Sequence, residues 1–385
     1  MHDPLGDGVY TLPPRDQMDE HARRLRDTYA IRPTDRLIRR EFGFYSLEAW
    51  QDQGLSQERS LAEEFTYDPP GYHALGELGW CEAAFEPVFE TKVIEDRGDY
   101  ELEQDHAGRH VLYFKGRRSG FMPEYVAHPV EGLASWERDV VWRMDPTSPA
   151  RYADLEPRMA TARDAARRGL MISQRVIGGY MYLRSLIGPE LLLYAFHDQP
   201  ELVHACMQAW LALADAVIAK HQEHVTLDEL FLAEDICYNG GSLISPRMMR
   251  TFLLPYYQQL IDNTRRRQLD PTRHLYVQID TDGNALPVMP LYQEIGMDAM
   301  SPFEVAAGCD VVEVGQRYPE LAIFGGIDKR VLAQGRAAID AHLERIIPAM
   351  RQRGGYIPTC DHGVPAEVPL EDYRYYRQRC IELGG

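Results

Sequence analysis

From about residue 170 to its end the chain repeats one pattern: a short apolar run, a polar loop, then a helix. LMISQRVI (170–177) precedes Gly178-Gly179 and an apolar helical stretch over 182–196. DELFLAED (228–235) precedes a loop and a helix over 246–267. HLYVQIDTDG (274–283) leads into PVMPLYQEIG, and DAMSPFE (298–304) into CDVVEVGQRY. LAIFGGID (321–328) leads into KRVLAQG and a helix over 336–353, and GGYIPTC (354–360) into a closing helix over 370–383. Consecutive strands separated by helices pair in parallel, and parallel strands are covered on both faces, which is why these runs are apolar almost to their last residues. The layouts open to such a chain are a closed barrel and a doubly wound open sheet. No GxGxxG follows an early strand and no GxxxxGK[ST] occurs, which disfavours the nucleotide-binding open sheet. The expected fold class is therefore α/β, a (β/α)8 TIM barrel. Six strands come from these units, and REFGF (40–44) offers another.

Helix punctuation agrees. Ser245-Pro246 places an N-cap oxygen before a first-turn proline, and Pro369 opens the last helix. Upstream the pattern differs. Residues 1–30 are polar, charged and Pro-containing, and are expected to form an N-terminal arm ahead of a barrel over 31–385. Within 85–120, VFETKVIED, DYELEQD and RHVLYFKGR are short β-rich runs broken by RGD and HAG, which predicts a three-stranded antiparallel meander.

Charge and cysteine usage narrow the function. A net charge of −18 repels phosphate backbones and anionic lipid, so neither nucleic acid nor a membrane is an expected partner. The six Cys include no CxxC pair and do not read as a disulfide framework. The first twenty residues hold no apolar run of the kind a signal peptide needs, and ACMQAWLALADAVIA, interrupted by Asp215, is expected to be too short to span a bilayer. A cytoplasmic protein acting on a small molecule is the expectation, with self-association left open.

The chemistry gathers where strands end, which in a barrel is where catalytic side chains come from. The ends read Gly178-Gly179-Tyr180, Glu234-Asp235, Asp280-Thr281-Asp282, Glu304, Asp328 and Cys360-Asp361-His362. A ring of acids at one mouth calls for relief by a cation, a metal or protonation of a member. Asp280 and Asp282, at i and i+2, are candidate metal ligands or an acid/base pair. With Cys360 they make a candidate Zn²⁺ site with one position open. Glu234, Asp235, Asp282 and His362 are candidate catalytic residues. Arg39 and Arg40, beside Phe42, are candidates for a substrate carboxylate, and Tyr72, Tyr180 and Glu304 for the remaining substrate contacts. The expectation is that side chains from 234, 280 and 360 meet at one rim.

Four stretches, AEDICYNGGSLISPRMMRTFLLPYY (233–257), DTDGNALPVMPLYQEIGMDAMSPFEVAAGCD (280–310), AIFGGIDKRVLAQG (322–335) and GGYIPTCDHGVP (354–365), resemble the uroporphyrinogen decarboxylase superfamily. That superfamily also contains corrinoid-dependent and coenzyme M methyltransferases, and the resemblance implies a (β/α)8 barrel. The porphyrinogen decarboxylases carry an N-terminal Met-Arg-Gln-Ala-Gly-Arg run; the corresponding segment here reads RRLRDTYAIRPTDRLIRREFGF and lacks it. The methyltransferase branch binds Zn²⁺ through a His-x-Cys pair and a later Cys. Aligned on Gly283-Asn284, Asp280 and Asp282 replace the pair and Cys360 takes the later position. The resemblance thus implies metal-assisted methyl transfer, with a divalent metal such as zinc, and a methylcorrinoid on a partner protein as methyl source. The alternatives it implies are a cofactor-free decarboxylase or lyase, with Arg39 or Arg40 holding a carboxylate and Asp282 handling a proton, and a non-catalytic partner subunit.

Overall fold

The computed structural model describes residues 11–116 and 123–385. Seven parallel strands form one curled sheet: β1 (Tyr72–Leu75), β2 (Met171–Ile177), β3 (Glu229–Ala233), β4 (Tyr276–Asp280), β5 (Ala299–Ser301), β6 (Ala322–Phe324) and β7 (Tyr356–Ile357). Neighbours in the sheet are neighbours in the chain, and each is reached through a helical crossover, the arrangement of a (β/α)8-type barrel. The six expected strands are all present. The seventh, Tyr72–Leu75, is not among the runs that the sequence marks as strands. It is short and follows Pro69-Pro70-Gly71, so its period-2 signal spans only four residues.

REFGF contributes a single parallel bridge, Phe44 with Val364, instead of a strand. Gly43 accepts from the Val364 N–H at 2.9 Å, Tyr45 donates to the Val364 carbonyl at 2.9 Å, and Arg39 accepts from the Asp68 N–H at 2.7 Å. Segment 39–45 therefore lies between the chain just before β1 and the chain just after β7, where an eighth strand would close the barrel.

Alternation along each strand sorts side chains into two sets. Ile172, Leu230, Leu232, Val277, Ile279, Met300, Ile323 and Tyr356 are buried among the outer helices. Met171, Ala299, Ala322, Phe324 and Ile357 form a separate apolar cluster with Leu25 and Tyr29 inside the barrel. Leu25 and Tyr29 come from the helix Glu20–Tyr29, N-capped by Asp19. Its Arg26 grips Asp228 with two hydrogen bonds, at 2.6 and 2.9 Å, and also donates to the carbonyls of Gly169 and Leu170. This helix closes the end of the barrel at which the strands begin. The segment read as an arm thus contains a barrel plug; its residues 1–10 lie outside the described residues.

The meander has four antiparallel strands, Lys92–Arg97, Tyr100–Gln104, His110–Phe114 and Glu124–Ala127, one more than the sequence suggests. The additional strand lies past 120, and residues 117–120 of the expected segment lie outside the described residues. The buried Arg109 fastens this sheet to the barrel's loops. It donates to Asp105 and to Glu82, at 2.8 Å each.

The apolar helix runs from Pro200 to Gln222, 23 residues, long enough to cross a bilayer by length and composition, where a shorter one was expected. Half of its most apolar window is buried against the protein, Trp210 and Leu213 included, and Asp215 accepts from Arg267 and Asn263. It serves as a core helix on the barrel.

Candidate active site

Inside the barrel lies a cavity of about 330 Å³. Its wall comes from inward positions of successive strands: Tyr72, Arg175, Glu229, Phe231, Gln278, Asp280, Ser301 and Phe324, with Thr359 following β7. Arg40, Glu41 and Phe42 line it from the closing segment, Trp80 from the loop after β1, and Leu25 and Tyr29 from the plug.

Two arginines face this space. Arg40 stands 5.2 Å from the Phe324 ring centroid. Arg175 donates to the Tyr72 hydroxyl at 3.0 Å and sits 5.7–5.9 Å from the rings of Trp80, Phe231 and Tyr72. Among the described residues, neither guanidinium has a carboxylate within ion-pair distance. Some buried arginines elsewhere are matched, as Arg26 is by Asp228 and Arg109 by Asp105 and Glu82, while the buried Arg377 is not. Two cationic forks in an enclosed space, each with N–H donors to spare, form a receptor for an anion.

Asp280 ends β4 and faces the same cavity. Enclosure by protein pushes its carboxyl up to about 6, against the hydrogen bond from Ser301 and with help from the Asp282 and Asp235 charges. A carboxyl that titrates near neutrality is suited to exchanging protons with a substrate. Deeper in, Glu229 is held by Tyr29, whose hydroxyl also bonds Gln278 at 2.7 Å, and burial raises its carboxyl above the usual range.

Asp282 and His362 meet at the rim, with His362 Nε2 3.3 Å from Asp282 Oδ2. The His362 ring packs against Phe42 (5.1 Å) and Tyr45 (5.7 Å). The hydrogen bond to Asp282 raises the imidazole's affinity for a proton. The partly exposed pair stands beside Phe42, which lines the cavity, and its charges act on Asp280.

The remaining expected residues go elsewhere. Glu234 follows β3 by one residue, and one residue of register reverses a side chain's direction. Its carboxylate is buried among the outer helices, accepting from Tyr257 Oη at 2.6 Å and from the Tyr180 N–H at 3.1 Å. Burial pushes it up to about 7. A Cβ at Gly178 would collide with that carboxylate, which accounts for the glycine. Tyr180 is 1% exposed and belongs to this core, away from the cavity. Asp235 pairs with Arg184 at 2.6 Å. Glu304 accepts from the Gly283 N–H at 2.9 Å and from Lys329 at 3.0 Å, and so ties loops together. Arg39 points away from the cavity, to the carbonyl of Gly385.

Cys360 alternates away from Thr359 and is fully buried, its neighbours including Tyr376 and Cys380 on the last helix. Burial pushes its thiol well above the usual range, opposite to what a nucleophile needs. The set Asp280, Asp282 and Cys360 does not converge, and among the described residues no three His, Cys, Asp or Glu side chains are placed to hold a metal ion together. The chain's donors therefore do not fit the zinc site that the resemblance implies. The crowded acids are relieved by cations of the chain itself: Lys329 beside Glu304 and Asp361, Arg184 on Asp235 and Arg330 on Asp328.

Arg175, Phe231 and Ser301 did not stand out in the sequence. The available signal was parity. In MISQRVI, position 175 shares the inward face with 171 and 173, and an arginine on the inner face of a parallel strand has no solvent to reach.

Residues 171–382 match the profile of the uroporphyrinogen decarboxylase (URO-D) family. Among curated relatives, the uroporphyrinogen decarboxylase of Trichlorobacter lovleyi is 25% identical over 177 residues, covering 45% of this chain and 49% of that protein. That of Crocosphaera subtropica is 28% identical over 182 residues, covering 46% and 47%. The match spans about half the length of these relatives. The solved structure of a methyltransferase from Methanosarcina mazei superposes with a TM-score of 0.58 over 95% of this chain and 99% of that one, at 14% identity, a likeness of fold. With the barrel built from the same strand–helix units that the profile covers, the chain belongs to the uroporphyrinogen decarboxylase family.

Proposed function

We propose that this protein is an enzyme that removes a carboxyl group from a small carboxylated substrate inside the barrel, without a metal. The observation that carries this reading is the pair Arg40 and Arg175: both face the cavity, and among the described residues neither has a carboxylate within ion-pair distance, the buried Glu229 feeling both charges only from farther off. A substrate carboxylate supplies the close partner that the guanidinium groups lack. Asp280, on the same wall, supplies the proton.

The step balances simply. The C–CO₂⁻ bond breaks, CO₂ leaves, and the electron pair stays on carbon. Protonated Asp280 delivers a proton to that carbon, giving R–H and the Asp280 carboxylate. Solvent restores the proton through the rim pair His362–Asp282. The enclosed, ring-lined wall lowers the local dielectric, which strengthens the arginine contacts and favours loss of a charged carboxylate as neutral CO₂.

The test is release of ¹³CO₂ from a panel of ¹³C-carboxylated small molecules, with and without a chelator. Chelator-resistant release that collapses in Arg175→Gln and Asp280→Asn supports the reading. Chelator-abolished turnover, or turnover untouched by both substitutions, overturns it.

A further inference from the structure

Trp80 is the anomalous member of the cavity wall. It is 45% exposed, yet its indole stacks on Phe231 inside the barrel, ring centroids 5.6 Å apart and planes 19° apart. Two anchors hold its loop in place. Gly79 has φ of +76°, and a side chain there would run into the Glu82 carbonyl. Glu82 itself is bound by the buried Arg109 at 2.8 Å. A large ring is thus held at the cavity entrance with nearly half its surface uncovered, although apolar surface left in water forgoes stabilisation.

Arg175 lies beside that ring. Its guanidinium is 5.7 Å from the Trp80 ring, 5.8 Å from Phe231 and 5.9 Å from Tyr72. Among the described residues its one polar partner is the Tyr72 hydroxyl, so most of its five N–H donors are unused. A planar fork bordered by three aromatic rings presents donors at the edge of a ring-lined slot. A flat anion can use both features at once, with its ring on the indole and its carboxylate on the fork. A flexible aliphatic acid uses only the second and loses rotamer freedom on binding. The volume, about 330 Å³, is at the lower end of small-molecule sites and is sized for one or two rings.

We propose that the cavity takes a planar carboxylate of one or two aromatic rings, its carboxylate on Arg175 and its ring against Trp80, which makes Trp80 the residue that sets substrate class. The inference rests on the carboxylate reading of the cavity and adds the shape of what carries the carboxylate.

Titration calorimetry on the full chain tests it with three matched probes: 2-naphthoate, its saturated analogue decahydro-2-naphthoate, and the neutral 2-naphthamide. The expected result is 2-naphthoate binding about tenfold tighter than the saturated acid, the size of an aromatic stacking contribution. Trp80→Ala should erase that preference while leaving the saturated acid within about twofold. Trp80→Phe, which keeps a ring, should restore most of it, and unchanged melting temperatures would exclude a folding defect. Equal binding of the two acids, or a preference that survives Trp80→Ala, overturns the aromatic inference and leaves the carboxylate reading standing. Naphthamide binding as tightly as naphthoate, or no binding by any probe, overturns both.

Discussion

Ser301 Oγ lies 2.5 Å from Asp280 Oδ1, and the two residues are register partners at the ends of neighbouring strands. The serine hydrogen bond favours the charged carboxylate and opposes the enclosure that pushes Asp280 up to about 6. Ser301→Ala should therefore raise the Asp280 pKa further. If protonated Asp280 is the acid, the alkaline limb of kcat moves to higher pH by about one unit, the lower end of what a charge-assisted hydrogen bond supplies. A limb that stays in place in this variant would remove Asp280 from the proton step.

The same carboxyl leaves a mark on stability. Its pKa in the folded chain is above that in the unfolded chain, so ionisation disfavours the fold. The penalty is absent below about pH 4 and complete above about pH 6. Asp280→Asn removes it. The variant should gain on wild type by up to about 3 kcal/mol between pH 4 and pH 8. Thermal melts of both proteins at the two pH values check this, since groups not coupled to Asp280 cancel in the difference.

Arg40 and Arg175 have no carboxylate within ion-pair distance among the described residues, although both charges act on Glu229. Arg40→Met and Arg175→Met should each raise KM for a carboxylate substrate about 10- to 100-fold, the loss of one charged hydrogen-bonded contact, with melting temperatures little changed. A fall of several degrees would show that the arginines are structural.

Glu234 and Cys360 should behave as core. Glu234→Ala leaves Tyr257 and the Tyr180 N–H without their acceptor and should destabilise by about 3 kcal/mol. Glu234→Gln, which keeps an acceptor, should be far milder. Cys360→Ala should cost about 1 kcal/mol and leave kcat unchanged. In native protein the Cys360 thiol should resist a disulfide reagent until denaturant is added. Loss of turnover in folded Cys360→Ala protein would restore a role for it in the chemistry.

The barrel was legible because parallel strands bury both faces, and six such runs alternate with helices in order. Tyr72–Leu75 was not, because four residues after a Pro-Pro-Gly turn carry too little periodicity. The site was half legible. Asp280, Arg40, Phe42 and Tyr72 do line one cavity, and Asp282 meets His362 at its rim. Glu234 and Cys360 are each one residue from an inward position, Ala233 and Thr359. Period-2 geometry sends neighbours to opposite faces, and strand ends read to within a residue or two do not decide which. Arg175 was hidden for the converse reason: it lies mid-strand, away from the loops where chemistry is usually sought.

The central claim, that the barrel's interior arginines receive a substrate carboxylate, is tested most directly by a crystal structure of the full chain with 4-bromobenzoate, whose bromine marks the ligand by anomalous scattering. The account predicts the carboxylate about 3 Å from the guanidinium of Arg175 or Arg40, inside the barrel and within reach of Asp280. A ligand ordered only outside the barrel, with both arginines facing solvent alone, would contradict it.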